Sequence, residues 1–212
     1  MSIPNTVVVL PFPAQGHVNS FMNLSRKLAE HGFKIIFVNS DFIHELVMAS
    51  FGESQETFIM ESSIKLVSIP DGLGSEEDRK DGSKLIHAIA KNMPASLEKL
   101  IEDVNGSCNG ICCIVADVNM GWALEVARKM GIRRAAYFTF AAATFALLPS
   151  IPRLSDDGII DFNGTPIKEK TFQLSPNMPI MHTDQLWSSN IGDPETEKHV
   201  FHYSKDSLQI LN

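Results

Sequence analysis

Three polar side chains stand where an α/β chain places chemistry: His17, Asp117 and Thr139. His17 follows the run Val7-Val8-Val9-Leu10-Pro11-Phe12-Pro13-Ala14-Gln15-Gly16, in which a buried strand stops at two prolines and an amphipathic helix begins. Histidine is the residue type that most readily exchanges a proton near neutral pH. Neither a cysteine nor a second histidine lies beside it to complete a metal site, so it reads as a general base. Asp117 and Thr139 end two further apolar runs, at 111–116 and 135–138. A carboxylate bonded to one imidazole nitrogen fixes the tautomer and stabilises the imidazolium formed when the other nitrogen takes a proton. Such a pair would activate a hydroxyl. Each residue also has a plain structural use: an aspartate after a strand caps the next helix, a histidine can begin one, and a threonine at a strand end bonds to backbone.

The elements that must bring these residues together are announced by a repeated local pattern. Residues 24–38 and 124–138 each read as a helix end, a glycine (Gly32, Gly131) and a strand, with basic residues near each last helical turn. Helices that feed strands directly are the grammar of a parallel sheet. The pattern predicts strands at 6–11, 34–39, 64–69, 111–116 and 135–139. Helices are predicted at 18–30, from about 42, at 83–104 with Pro94 as a bend, at 120–129, and in the alanine-rich stretch to about 148. The fold class is α/β, a Rossmann-like parallel sheet with helices on both faces. With strand order 3-2-1-4-5, strands 1 and 4 are neighbours where the winding reverses, and His17 faces Asp117 across the crevice.

Two stretches fall outside this grammar. The loop Pro70-Asp71-Gly72-Leu73-Gly74 runs on through residues 75–82 and reads as polar and mobile. Residues 152–182, rich in Asp, Gly, Asn and Pro, read as a long surface excursion, with turns at Asp156-Asp157-Gly158 and Asn163-Gly164. Short helices near 184–188 and from 194 close the chain, whose last residues stop in mid-pattern as truncation would leave them.

Composition narrows the partners. The 212 residues are 44% hydrophobic and 20% charged, enough for one substantial core. A formal net charge of −7, with no dense Lys/Arg cluster, argues against nucleic acid and anionic membranes. The apolar stretch 135–151 falls short of the ~20 residues a spanning helix needs, and no targeting leader is visible. Cys108, Cys112 and Cys113 form no disulfide framework and suit a reducing compartment. The expectation is a cytoplasmic protein with no membrane insertion. His182, His199 and His202 lack the ligand spacing of a metal site and read as a solvated face. No Gly-x-Gly-x-x-Gly fingerprint supports a nicotinamide cofactor, and no Gly-x-Ser-x-Gly elbow supports a serine hydrolase.

Three blocks carry a family resemblance: Pro11-Phe12-Pro13-Ala14-Gln15-Gly16-His17-Val18-Asn19, the turn Pro70-Asp71-Gly72-Leu73, and Val115-Ala116-Asp117-Val118-Asn119-Met120-Gly121-Trp122 with the helix that follows. In this order they resemble the plant-type UDP-dependent glycosyltransferases of family 1, which have the GT-B fold. The resemblance implies that His17 is the base that deprotonates an acceptor hydroxyl and Asp117 its partner, and that transfer inverts the sugar's anomeric carbon. It implies donor contacts at Gly16 and Thr139, and acceptor contacts at Gln15, Trp122, Asp184 and Gln185. A UDP-sugar is the co-substrate, no metal is needed, and the acceptor is a small hydrophobic molecule bearing a hydroxyl. Residues 1–212 would then be an N-terminal acceptor-binding domain. Nothing in them matches the family's C-terminal UDP-sugar box, so the alternative is a truncated acceptor-binding homologue without turnover. Ser20 stands where the family has proline.

Overall fold

Five short runs of β-branched and aliphatic residues pair as one parallel sheet in the order β3-β2-β1-β4-β5. The strands are β1 (Thr6–Leu10), β2 (Lys34–Ser40), β3 (Ile64–Ile69), β4 (Ile111–Asp117) and β5 (Arg134–Tyr137). The computed structural model describes residues 5–51, 63–74, 79–107, 110–186, 197–198, 201–202 and 205. The strand order is the expected one. β1 is the central strand, with all five residues buried and with β2 and β4 on either side.

Between the strands run α1 (Gln15–Glu30), α2 (Asp41–Phe51), α3 (Gly82–Ser107) and α4 (Gly121–Lys129). α1 starts three residues earlier than the pattern predicts, so Gln15, Gly16 and His17 lie in its first turn. α3 continues through Pro94. α1 presses Val18, Phe21 and Met22 into a core with Val7, Val9, Ile35 and Phe37. α1 and α4 end identically. Gly32 (φ 85) and Gly131 (φ 68) take the left-handed conformation that a Cβ disfavours. The next amide then turns back to the helix: Phe33 N–H to Leu28 O at 3.1 Å, and Ile132 N–H to Ala127 O at 2.9 Å. Asn39, 2% exposed near the end of β2, has no hydrogen-bond partner for either amide atom among the described residues.

The chain divides into two compact units, Met1–Thr139 and Phe140–Asn212. In the second, α5 (Ala142–Leu147) leads through a 3-10 turn (Leu148–Ser150) into α6 (Ile151–Asp156). The expected excursion over 152–182 is therefore structured. Its first residues are helical because Pro152 sits in the first turn of α6, where a missing N–H costs nothing. Asp156-Asp157-Gly158 is the end of that helix, closed by Ile159 N–H to Leu154 O at 2.9 Å. Beyond it, Ile160 and Pro166 form a bridge around Asn163-Gly164, and β6 (Thr171–Phe172) pairs antiparallel with β7 (Met181–His182). Of the helix expected from 194, residues 197–198, 201–202 and 205 are described and are helical; the rest of it, the second half of that expected at 184–188, Cys108, His199 and the chain's end lie outside the described residues. No helix among the described residues is long and apolar enough to cross a membrane.

Candidate active site

His17, Asp117 and Thr139 meet at the carboxyl ends of β1, β4 and β5. Nδ1 of His17 lies 2.6 Å from Oδ2 of Asp117 and 3.0 Å from Oγ1 of Thr139. Asp117 is completely buried, while the His17 side chain keeps 15% of its surface open. A carboxylate can only accept, so so short a contact assigns the proton to Nδ1 and the lone pair to Nε2. The Phe12 ring packs against the imidazole, centroid to centroid 5.4 Å. The arrangement can take a proton at Nε2 and stabilise the resulting charge through Asp117.

Asp117 also performs its structural role. Its Oδ1 accepts the Asn119 amide at 2.9 Å and so caps the 3-10 turn Val118–Met120 that leads into α4. The two readings open at the sequence level hold together, one for each carboxylate oxygen.

The other expected site residues divide. Gln15 and Gly16 are exposed in the first turn of α1. Among the described residues no side chain caps that turn. Ser20, in place of the family's proline, bonds back to Gly16 O at 3.0 Å. Trp122 is half-buried on α4, and its indole nitrogen is enclosed without a hydrogen-bond partner among the described residues. Asp184 and Gln185 belong to the second unit, where they build a 3-10 turn. Asp184 pairs with Nδ1 of His182 at 2.8 Å, and the Gln185 side chain accepts the His182 amide at 2.8 Å. Among the described residues no group of three His, Cys, Asp or Glu side chains could hold a metal ion. Cys112 and Cys113 are free thiols, and burial pushes the Cys113 thiol up from its ordinary value.

The loop after β3 supplies a feature that the sequence reading missed. Arg79 reaches back to grip Asp71, which is 3% exposed, with Nη2 at 2.8 and 3.0 Å from its two oxygens and 2.9 Å from Leu73 O. Its guanidinium also stacks over the Phe42 ring at 4.5 Å. From the other side Asn92 of α3 donates to Asp71 O at 3.1 Å. The described ends of a loop expected to be mobile are thus tied to α2 and α3. A cleft of about 360 Å³ opens beside them, walled by Pro13, Ser40, Phe42, Ile43, Leu85 and the Asp71–Arg79 pair. A lone arginine in an acidic run, eight residues after an Asp-Gly turn, was the available signal.

A family model described as "Glycosyltransferase, N-terminal domain" matches residues 4–50. Over 199 residues the chain is 44% identical to UDP-glycosyltransferase 83A1 of Arabidopsis thaliana, an alignment covering 92% of this chain and 43% of that protein. The chain belongs to the plant UDP-glycosyltransferases. Another relative, (R)-mandelonitrile beta-glucosyltransferase of Prunus dulcis, is 31% identical over 161 residues, covering 73% of this chain and 32% of its own. The fold agrees with solved structures. A UDP-glucosyltransferase from Polygonum tinctorium capable of glucosylating indoxyl superimposes with a TM-score of 0.69 at 19% identity, over 98% of this chain and 45% of the other. Os79 from O. sativa in complex with UDP gives 0.66 at 19% identity, over 96% and 43%. The chain spans less than half the length of these plant UDP-glycosyltransferases.

Proposed function

We propose that this chain is the acceptor-side domain of an inverting UDP-sugar-dependent transferase, with His17 as the base. The observation that carries the reading is the 2.6 Å bond from His17 Nδ1–H to a fully buried Asp117 at the ends of adjacent strands. Nε2 takes the proton of an acceptor hydroxyl, and the oxygen forms a bond to the sugar's anomeric carbon from the face opposite the leaving group. The bond from that carbon to the UDP oxygen breaks, and its electron pair departs with UDP. The developing imidazolium is stabilised by Asp117. Gln15 and Gly16 are exposed beside His17 in the first turn of α1. Gln15 is assigned to the acceptor, and Gly16 and Thr139 to the donor. Trp122, Asp184 and Gln185 are assigned to the acceptor on family resemblance alone. The donor is a UDP-sugar such as UDP-glucose, the acceptor a small apolar molecule bearing a hydroxyl, and no metal takes part. The free thiols of Cys112 and Cys113 accord with a cytoplasmic location.

The test is transfer from UDP-glucose to a phenolic acceptor, read as UDP release. If the chain is catalytic alone it turns over in this assay, and His17→Ala lowers the rate by about 10³-fold or more. Turnover that survives His17→Ala would remove His17 from the reaction. A parent chain with neither turnover nor measurable UDP binding would remove the transferase reading for the chain as it stands.

A further inference from the structure

Family resemblance gives Thr139 to the donor sugar, yet its oxygen is already engaged with the base. Oγ1 lies 3.0 Å from the nitrogen that Asp117 holds at 2.6 Å. We infer that Thr139 is a positioning residue of His17, its hydroxyl oxygen serving as a second acceptor for the Nδ1–H proton. This deepens the proposed function and rests on His17 being its base.

One N–H···O contact fixes a distance but lets the imidazole swing about the line of the bond. A second acceptor, delivered from the far end of β5 while Asp117 comes from β4, fixes the plane of the ring and with it the direction in which Nε2 points. Threonine suits the task because its branched Cβ holds χ1 in few rotamers. Phe12 closes a further side of the ring at 5.4 Å. The two acceptors divide the work. Asp117 dictates where the proton sits, because a carboxylate cannot face a nitrogen lone pair at this range. Thr139 dictates ring orientation.

The same geometry reconciles the two assignments of Thr139. Its oxygen accepts at Nδ1, so its own O–H proton is directed elsewhere and can donate to an oxygen of a bound sugar. Hydrogen bonds in such a chain polarise one another. A donor that accepts from the Thr139 O–H therefore enriches the oxygen that steadies the protonated imidazole, and donor occupancy is felt at the base.

The experiment follows the His17 Nδ1–H proton by NMR in the histidine-labelled chain, with His17→Ala to assign it. Thr139→Val removes the hydroxyl while nearly keeping shape, Thr139→Ala removes it with a cavity, and Thr139→Ser retains it. In the parent and the serine variant the proton is expected to exchange slowly with water. In the valine and alanine variants exchange should quicken about fivefold, the factor a net hydrogen bond of this class carries, with the amide spectrum elsewhere unchanged. Folded valine or alanine variants with parental Nδ1–H exchange overturn the inference, as does a serine variant that fails to restore it. The transfer assay separates this from the wider reading. A chain silent in that assay but sensitive to Thr139→Val overturns the transferase reading alone, and His17-dependent turnover with a parental valine variant overturns this one alone.

Discussion

At Asp117 one carboxylate serves two elements, Oδ1 starting the turn into α4 and Oδ2 holding the imidazole at the end of β1. Substitution can separate the two. Asparagine caps as well as aspartate, so Asp117→Asn should unfold within about 1 kcal/mol of the parent. Transfer should nevertheless fall by about 10⁴-fold, because a carboxamide does not hold the Nδ1–H tautomer. Asp117→Ala should lose the same activity and the cap besides, unfolding about 1 kcal/mol more easily than the asparagine variant. Calorimetry and UDP release on the two variants check this, and equal melting of both would show that the cap carries no weight. His17 and Asp117 were legible in the sequence because each follows an apolar strand run, Asp117 as the last residue of β4 and His17 in the first turn of the helix after β1. The Thr139 contact was not, since it joins residues 122 positions apart and depends on where β5 stops. Nor could any spacing show that the Trp122 indole nitrogen is enclosed without a partner among the described residues.

Element boundaries were legible wherever glycine and basic residues punctuate a helix end. The same signs were misread in the second unit. Residues from Pro152 read as a surface excursion, although proline in a first turn starts a helix, and Gly158 read as part of a turn although it ends α6 just as Gly32 ends α1. The grammar was present, and the Asp, Gly, Asn and Pro content obscured it. Two glycines with positive φ give a direct measure of local strain. Gly32 (φ 85) has open space where a Cβ would stand, so Gly32→Ala should cost about 1 kcal/mol, the price of the left-handed backbone alone. Gly72 (φ 81) lies against the Asn92 carboxamide, which a methyl would overlap. Gly72→Ala should therefore cost more, about 3 kcal/mol with the disturbed Asn92–Asp71 latch included. Denaturant unfolding of both variants decides the order, and equal losses would mean that Asn92 yields freely.

Across the whole molecule, parallel order places β1 at the centre of the first unit and β5 at its edge, with Ala135 and Ala136 exposed. Amide hydrogen exchange should be slowest in Val7–Leu10 and fastest, among the five strands, in β5, where side-chain cover is least. Protection of β5 equal to that of β1 would contradict this ranking. The order itself was readable because alternating helices and strands admit few right-handed windings. The satisfaction of each buried group was not readable, and Asn39 is the case in point. A carboxamide enclosed near the end of β2, with neither atom bonded among the described residues, leaves the fold below the stability its core could reach. That shortfall is thermal headroom open to a single substitution. Asn39→Leu, of similar size and without polar atoms, should raise the melting temperature by about 3 °C, and a fall would show that the amide finds a partner in solution.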